Sequence, residues 1–136
     1  MKNSLIFLIL LSIQSLFSKN ACEKCNIEKV RIVHENINQL NVEMISDFLC
    51  TFDLKCKNNI EFTEFSNEIF FLVLEKSSNM VLNQIISLNL DSTLFLNVLQ
   101  NPVHDLIDIQ KVQDAIKSVE NKSKLKEDFL TALLLK

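Results

Sequence analysis

The stretch FDLKCKNNIEFTEFSNEIFFLVL, residues 52–74, decides the fold. The apolar residues of its second half that keep helical spacing are Phe62, Phe65, Ile69, Leu72 and Val73. Further apolar residues widen this stripe until little of the circumference is polar, which is typical of a buried helix. A strand over residues 69–74 is the alternative, and the helical period favours the helix. We therefore predict that a buried helix over residues 62–74 forms the centre of the core.

Shorter segments on both sides repeat the amphipathic pattern. Each keeps apolar residues at helical spacing, and an Asn, Asp or Ser that can cap a helix precedes most of them. The segments are 22–38, 42–51 after Asn41, one opened by Ser77 or Asn79, one capped by Asp91 and stopped at Asn101-Pro102, one started by Asp105 or Asp108, and one started by Ser123. With 62–74 they make about seven short helices, each too short to be stable alone in water. We expect an all-α fold, either an irregular bundle or a curved stack of helix pairs.

The composition excludes several kinds of site. The chain contains no Gly, no Trp and no Tyr, so the Gly-rich loops that bind phosphates or dinucleotides cannot be built. The formal net charge is −3, and Lys and Arg are not clustered. This argues against nucleic acid and anionic lipid surfaces as partners, because both require basic patches. We expect no cofactor and no bound metal ion.

Residues 1–18 have the pattern of a signal peptide. Lys2 precedes an apolar run over residues 5–11, and the small residues Ser15 and Ser18 lie near a plausible cleavage site. No later segment approaches the roughly 18 to 20 apolar residues of a membrane-spanning helix. Residues 19–136 are enough for a single helical domain and too few for two. We expect an exported protein, periplasmic or extracellular, without an integral membrane segment after cleavage.

Four cysteines, Cys22, Cys25, Cys50 and Cys56, lie in the first part of the predicted domain. Export to an oxidising compartment favours disulfides over free thiols. If the first two helices are antiparallel, the two bridged pairs must share a midpoint. The pairs Cys25–Cys50 and Cys22–Cys56 both centre on the turn predicted at residues 36–41. We predict this nested pairing, which staples the first helical hairpin.

The motif Cys22-Glu23-Lys24-Cys25 also has a functional interpretation, thiol–disulfide exchange. That chemistry needs a thiol pKa lowered at a helix N-terminus. The βαβ context in which thioredoxin-like enzymes place such a motif is missing here. A zinc site is disfavoured as well, because the spacing from Cys50 to Cys56 departs from the usual paired pattern.

In the loop before the central helix, Asp53, Ile60, Glu61 and Glu64 keep the spacing of positions one, eight, nine and twelve of a calcium-binding loop. Over residues 48–65 this segment resembles an EF-hand. Lys55 and Lys57 occupy positions three and five, where oxygen ligands belong, and Asn58 replaces the turn Gly. Two ammonium groups oppose a divalent cation. The resemblance, from Asp53 to Glu64, is therefore either a chance one or that of a degenerate hand that binds no calcium.

His34 and His104 are the only histidines, and the sequence gives neither a clear partner for acid–base catalysis. We expect His34 on a helix surface, and Asp105 beside His104 offers only an orienting carboxylate. An export signal on a packed helical domain without catalytic groups indicates a protein-interaction module, not an enzyme, with an unknown protein as its partner. The alternative is a carrier of an apolar ligand or lipid. The early CxxC and amphipathic helices resemble saposin-like proteins, although their C-terminal cysteine pair is absent.

Overall fold

The computed structural model describes residues 22–135, so the predicted signal peptide over residues 1–18 lies outside the described residues. The α-helices are α1 (Ile27–Glu35), α2 (Val42–Cys50), α3 (Ile60–Ser87), α4 (Ser92–Gln100), α5 (Ile109–Lys117) and α6 (Lys124–Leu134), and a 3₁₀ helix, η1, spans Leu54–Asn58. The described part of the chain contains no strand. The predicted all-α fold is confirmed. Between residues 22 and 135, no helix combines the length and the apolar character needed to cross a membrane.

Polar side chains fix where the helices begin. Each accepts a hydrogen bond from a backbone N–H of the first turn, which has no partner inside the helix. These capping residues are Asn26, Asn41, Asp53, Asn59, Asp91, Asp108 and Ser123. The caps predicted at Asn41, Asp91 and Ser123 are confirmed, and α5 uses Asp108. The hydroxyl and backbone N–H of Thr93 both donate to Asp91, which holds the pKa of that carboxyl below its ordinary value.

The long helix α3 joins two segments that the sequence predicts as separate helices. Ser77 has non-helical angles (φ −148°, ψ 37°), so α3 bends where the prediction begins a new helix. The hydroxyl of the buried Ser78 donates to the carbonyl of Ala115 in α5 at 2.9 Å. The chain continues through this bend instead of turning back. The described residues therefore contain six α-helices, one fewer than predicted.

Phenylalanine rings link α3 to its neighbours. The ring centroid of Phe52, which follows α2, lies 5.7 Å from Phe70 of α3 and 5.2 Å from Phe95 of α4. Phe70 also packs against Phe95 at 5.4 Å and against Phe129 of α6 at 6.3 Å. These separations are typical of favourable aromatic pairs. Since Phe70 is wholly buried, the prediction that residues 62–74 form the centre of the core is confirmed.

The first two helices form a hairpin that packs on α3. Val30 and Val33 are the buried residues of α1. Lys29 Nζ of α1 lies 2.6 Å from Asp47 Oδ2 of α2. This hydrogen bond raises the pKa of Lys29 above its ordinary value. At the other end of the chain, α5 packs on α3 and α6, and α6 packs on α4.

Candidate functional site

All four cysteines are in disulfides, as predicted. The bonds join Cys22 to Cys50 and Cys25 to Cys56, with Cα–Cα distances of 5.3 Å and 5.4 Å. The predicted pairs, Cys25–Cys50 and Cys22–Cys56, are wrong. A shared midpoint is required only when all four cysteines lie on two antiparallel helices, whereas α1 begins only at Ile27 and Cys56 lies in η1. The prediction that disulfides staple the first hairpin is confirmed, because Cys22–Cys50 ties the segment before α1 to the last residue of α2.

The segment before α1 folds back over the C-terminal end of α2. Cys25 has a positive φ of 57°, and its backbone N–H donates to the carbonyl of Thr51 at 2.8 Å. Lys24 Nζ donates to the carbonyl of Cys50 at 2.9 Å. These bonds satisfy carbonyls that the end of a helix leaves free. Cys22 and Cys25 thus reach different partners, and the CxxC motif is not a bonded pair in this structure.

The EF-hand-like loop contains η1. The carboxylate of Asp53 accepts a hydrogen bond from the backbone N–H of Lys55 at 2.8 Å, which caps η1. Cys56 is buried, and its disulfide attaches the loop to the segment before α1. Glu61 and Glu64 are exposed on the first turns of α3. In the part of the chain that the structure describes, no group of three or more His, Cys, Asp or Glu side chains is placed to hold a metal ion.

A groove of about 610 Å³ lies between η1, α3 and α4, and we call it the Leu54 groove. Its apolar lining is contributed by Phe52, Leu54, Phe62, Leu94, Val98 and Val103. Leu54 is 69% exposed and Val103 is 45% exposed. Phe52 and Phe62 are buried and belong to the core. The groove therefore continues the core to the surface, where two large apolar side chains remain in contact with water.

Asn67 positions one part of the Leu54 groove. This α3 residue is only 6% exposed. Its Nδ2 donates to the carbonyl of Asn101 at 2.9 Å, and its Oδ1 accepts from the backbone N–H of Val103 at 3.2 Å. Both bonds hold the segment after α4 against α3. This role of Asn67 is not among the features predicted from the sequence. The sequence feature that could have identified it is an amide side chain within the most apolar stretch, because a buried polar side chain requires hydrogen-bond partners.

The two histidines lie on different elements. His34 is exposed on α1, as predicted, with its ring centroid 5.6 Å from that of Phe65. His104 lies between α4 and α5, and its Nε2 is 3.4 Å from Glu68 Oε2 on α3. From the sequence, only Asp105 is predicted as a carboxylate near His104, because Glu68 is distant in sequence. The fold brings Glu68 and His104 together.

Comparison with known proteins identifies no relative of this chain. No family model, curated protein or solved structure matches it.

Proposed function

We propose that this protein is an exported interaction module that binds a partner protein through the Leu54 groove. The observation that carries the proposal is the apolar lining of this groove, with Leu54 69% exposed at the surface. At protein interfaces, a few well-buried anchor residues supply most of the binding free energy. An apolar side chain of the partner would fill the groove and cover Leu54.

Two kinds of link hold the Leu54 groove in place before any partner binds. The disulfide Cys25–Cys56 fixes η1, and the side chain of Asn67 fixes the segment that carries Val103. A surface that is already ordered loses less conformational entropy on association. This preorganisation supports a role in binding, which requires no catalytic group.

Export is part of the proposal. Disulfides persist mainly in oxidising compartments such as the periplasm and the extracellular space. The bonds Cys22–Cys50 and Cys25–Cys56, together with the signal-peptide pattern over residues 1–18, support export. Thiol–disulfide exchange receives no such support, since Cys22 and Cys25 are each bonded to a more distant cysteine.

Site-specific photocross-linking tests the proposal. A photoreactive amino acid replaces Leu54 in one variant and Ile86 in a matched control, because Ile86 is also a large exposed residue, at 50%, and does not line the groove. Both proteins are incubated with the extracellular or periplasmic fraction of the source organism. We expect one protein to cross-link to position 54 and not to position 86. Equal cross-linking at both positions, or none at position 54, would contradict the proposal.

The same apolar lining also suits an acyl chain, so a saposin-like carrier of an apolar ligand is the alternative function. Native mass spectrometry of the purified protein separates the two functions. A co-purifying lipid that is lost in Leu54→Lys and retained in Ile86→Lys would favour the carrier. Protein without lipid, combined with a cross-link at position 54, would favour the interaction module.

A further inference from the structure

A second depression, of about 260 Å³, lies between α3, α5 and the segment that joins α4 to α5. We call it the acidic pocket. Its apolar lining includes the buried Phe71 and Val112, the half-buried Leu72, and Leu106, which is 94% exposed. It shares no lining residue with the Leu54 groove. Its volume is below the roughly 300 to 1,000 Å³ of sites for drug-sized ligands. An occupant must therefore be smaller than a typical drug molecule.

Charged side chains surround this apolar surface. Glu68 and Glu75, both on α3, line the pocket together with Asp108 and Lys111. Lys111 Nζ lies 3.6 Å from Asp108 Oδ2, so these two charges offset each other. His104 also lines the pocket and faces Glu68. The three carboxylates and the one ammonium group of this lining give a formal net charge of −2.

Glu75 differs from the other carboxylates of the acidic pocket. In the part of the chain that the structure describes, it forms no ion pair within 4.0 Å and its side chain makes no hydrogen bond, whereas Glu68 and Asp108 each face a basic group. Glu75 lies on the same face of α3 as Leu72 and Phe71, since residues three and four apart are neighbours on a helix. An unpaired carboxylate therefore borders an apolar surface.

We propose that the acidic pocket binds a small organic monocation, an ammonium group attached to an apolar aryl or alkyl body. The apolar body packs on Phe71, Leu72 and Val112, and the ammonium group pairs with Glu75. Leu106, at 94% exposure, loses contact with water when the ligand is bound. An anion is repelled by the net charge, and a neutral molecule of the same shape gains only the apolar contact.

Nuclear magnetic resonance titration of the disulfide-bonded protein tests this site. The probes are 2-phenylethylammonium, its neutral isostere 2-phenylethanol, and the anion 3-phenylpropanoate. We expect saturable shifts of the methyl signals of Leu72, Leu106 and Val112 with the cation, and a Kd on the order of 1 mM for a ligand of this size. The neutral isostere should bind about 2- to 5-fold more weakly, as expected for the loss of one partly exposed ion pair. The anion should cause no such shifts.

A matched pair of variants tests the role assigned to Glu75. Glu75→Gln should weaken binding of the cation by about 2- to 5-fold and leave binding of 2-phenylethanol unchanged. Glu64→Gln, an exposed α3 residue outside the pocket, should change neither. Equal affinities for cation and neutral isostere, the same loss in both variants, or shifts confined to other residues would overturn the proposal. Cross-linking at position 54 is measured separately, so failure of this site leaves the test of the Leu54 groove intact.

Discussion

The two ends of the molecule are built from helices of similar length and are held in different ways. We call residues 22–59 the stapled end and residues 91–135 the unstapled end. In the stapled end, α1 and α2 have nine residues each, and two disulfides join the segment before α1 to the last residue of α2 and to η1. In the unstapled end, α4 and α5 also have nine residues each, and no cysteine is present.

The two ends bury comparable apolar side chains, but in the stapled end the large ones lie on α2, which buries Ile45, Phe48 and Leu49. In the stapled end, α1 buries only Val30 and Val33, and η1 buries only Cys56. In the unstapled end, α4 buries Phe95 and α6 buries Phe129, and both rings contact Phe70 of α3. Large aromatic side chains supply much of the free energy of a small core. The disulfides thus attach the two elements of the stapled end that bury few side chains: Cys22–Cys50 attaches the segment before α1 to α2, and Cys25–Cys56 attaches that segment to η1.

The largest expected effect comes from removing the ring that serves both ends. Phe70→Ala should lower the free energy of unfolding by about 3 to 5 kcal/mol, because the ring is fully buried and its loss leaves a cavity. Urea unfolding with the disulfides intact measures this change. Phe65→Ala is the control on the same helix, since Phe65 is only half-buried, and it should cost clearly less. Equal costs would show that the buried ring of Phe70 contributes no more to stability than the half-buried ring of Phe65.

The next largest effect is expected from removal of one disulfide, which breaks a covalent link within the stapled end. The double variant Cys25→Ala with Cys56→Ala should lose about 3 to 4 kcal/mol of unfolding free energy, because the unfolded chain regains the entropy of an open loop. The sequence separation is 31 for this bond and 28 for Cys22–Cys50, so the chain-entropy argument predicts nearly equal losses for the two bonds. The buried Cys56 adds a packing cost to the first variant.

Hydrogen exchange shows which helices are destabilised when the disulfide Cys25–Cys56 is removed. Amides of α1 and η1 should exchange faster in the Cys25→Ala, Cys56→Ala protein, while those of α6 change only as far as global stability falls. A larger increase of the exchange rate in α6 than in α1 would contradict the division into a stapled and an unstapled end.

The features that the sequence predicts depend on nearby residues, and those that it does not predict depend on distant ones. Asn41, Asp91 and Ser123 are found from sequence because a cap acts on the next few residues of its own helix. The disulfide pairing is not, because it depends on the reversal of the chain at Cys25 and on the position of η1. The hydrogen bonds of Asn67 and the pair of His104 with Glu68 depend likewise on contacts between distant segments. Local signals therefore give the helices, and tertiary contacts give the Leu54 groove and the acidic pocket.

A smaller effect is expected at Asn67, which connects α3 to the unstapled end. Asn67→Asp should cost about 1 to 3 kcal/mol, because a carboxylate accepts from Val103 but cannot donate to the carbonyl of Asn101. Asn97→Asp is the matched control, since Asn97 is exposed and its Oδ1 already accepts a hydrogen bond from Asn101 Nδ2. Urea unfolding of both variants provides the comparison. A loss in Asn97→Asp as large as that in Asn67→Asp would show that the buried bonds of Asn67 contribute little.

The smallest expected effect lies at the noncovalent link of the stapled end, the pair of Lys29 with Asp47. The hydrogen bond to Asp47 raises the pKa of Lys29 in the folded protein. The stabilisation is therefore fully present below the unfolded lysine pKa of about 10.4 and is lost as the pH rises through the higher folded pKa. Its size should be about 0.2 to 1 kcal/mol, because both side chains are partly exposed.

Unfolding in urea tests the pair when Lys29→Met is compared with the unchanged protein across this pH range. Lys29→Met should be less stable by about 0.2 to 1 kcal/mol near pH 7, and the difference should shrink as the pH rises above about 10.4. Lys76→Met, at an exposed α3 lysine that forms no ion pair within the described residues, should show no such convergence. A Lys29→Met difference that stays constant through the alkaline range would mean that the charge of Lys29 does not stabilise the hairpin. The disulfide Cys22–Cys50 and apolar packing would then be the main links between α1 and α2.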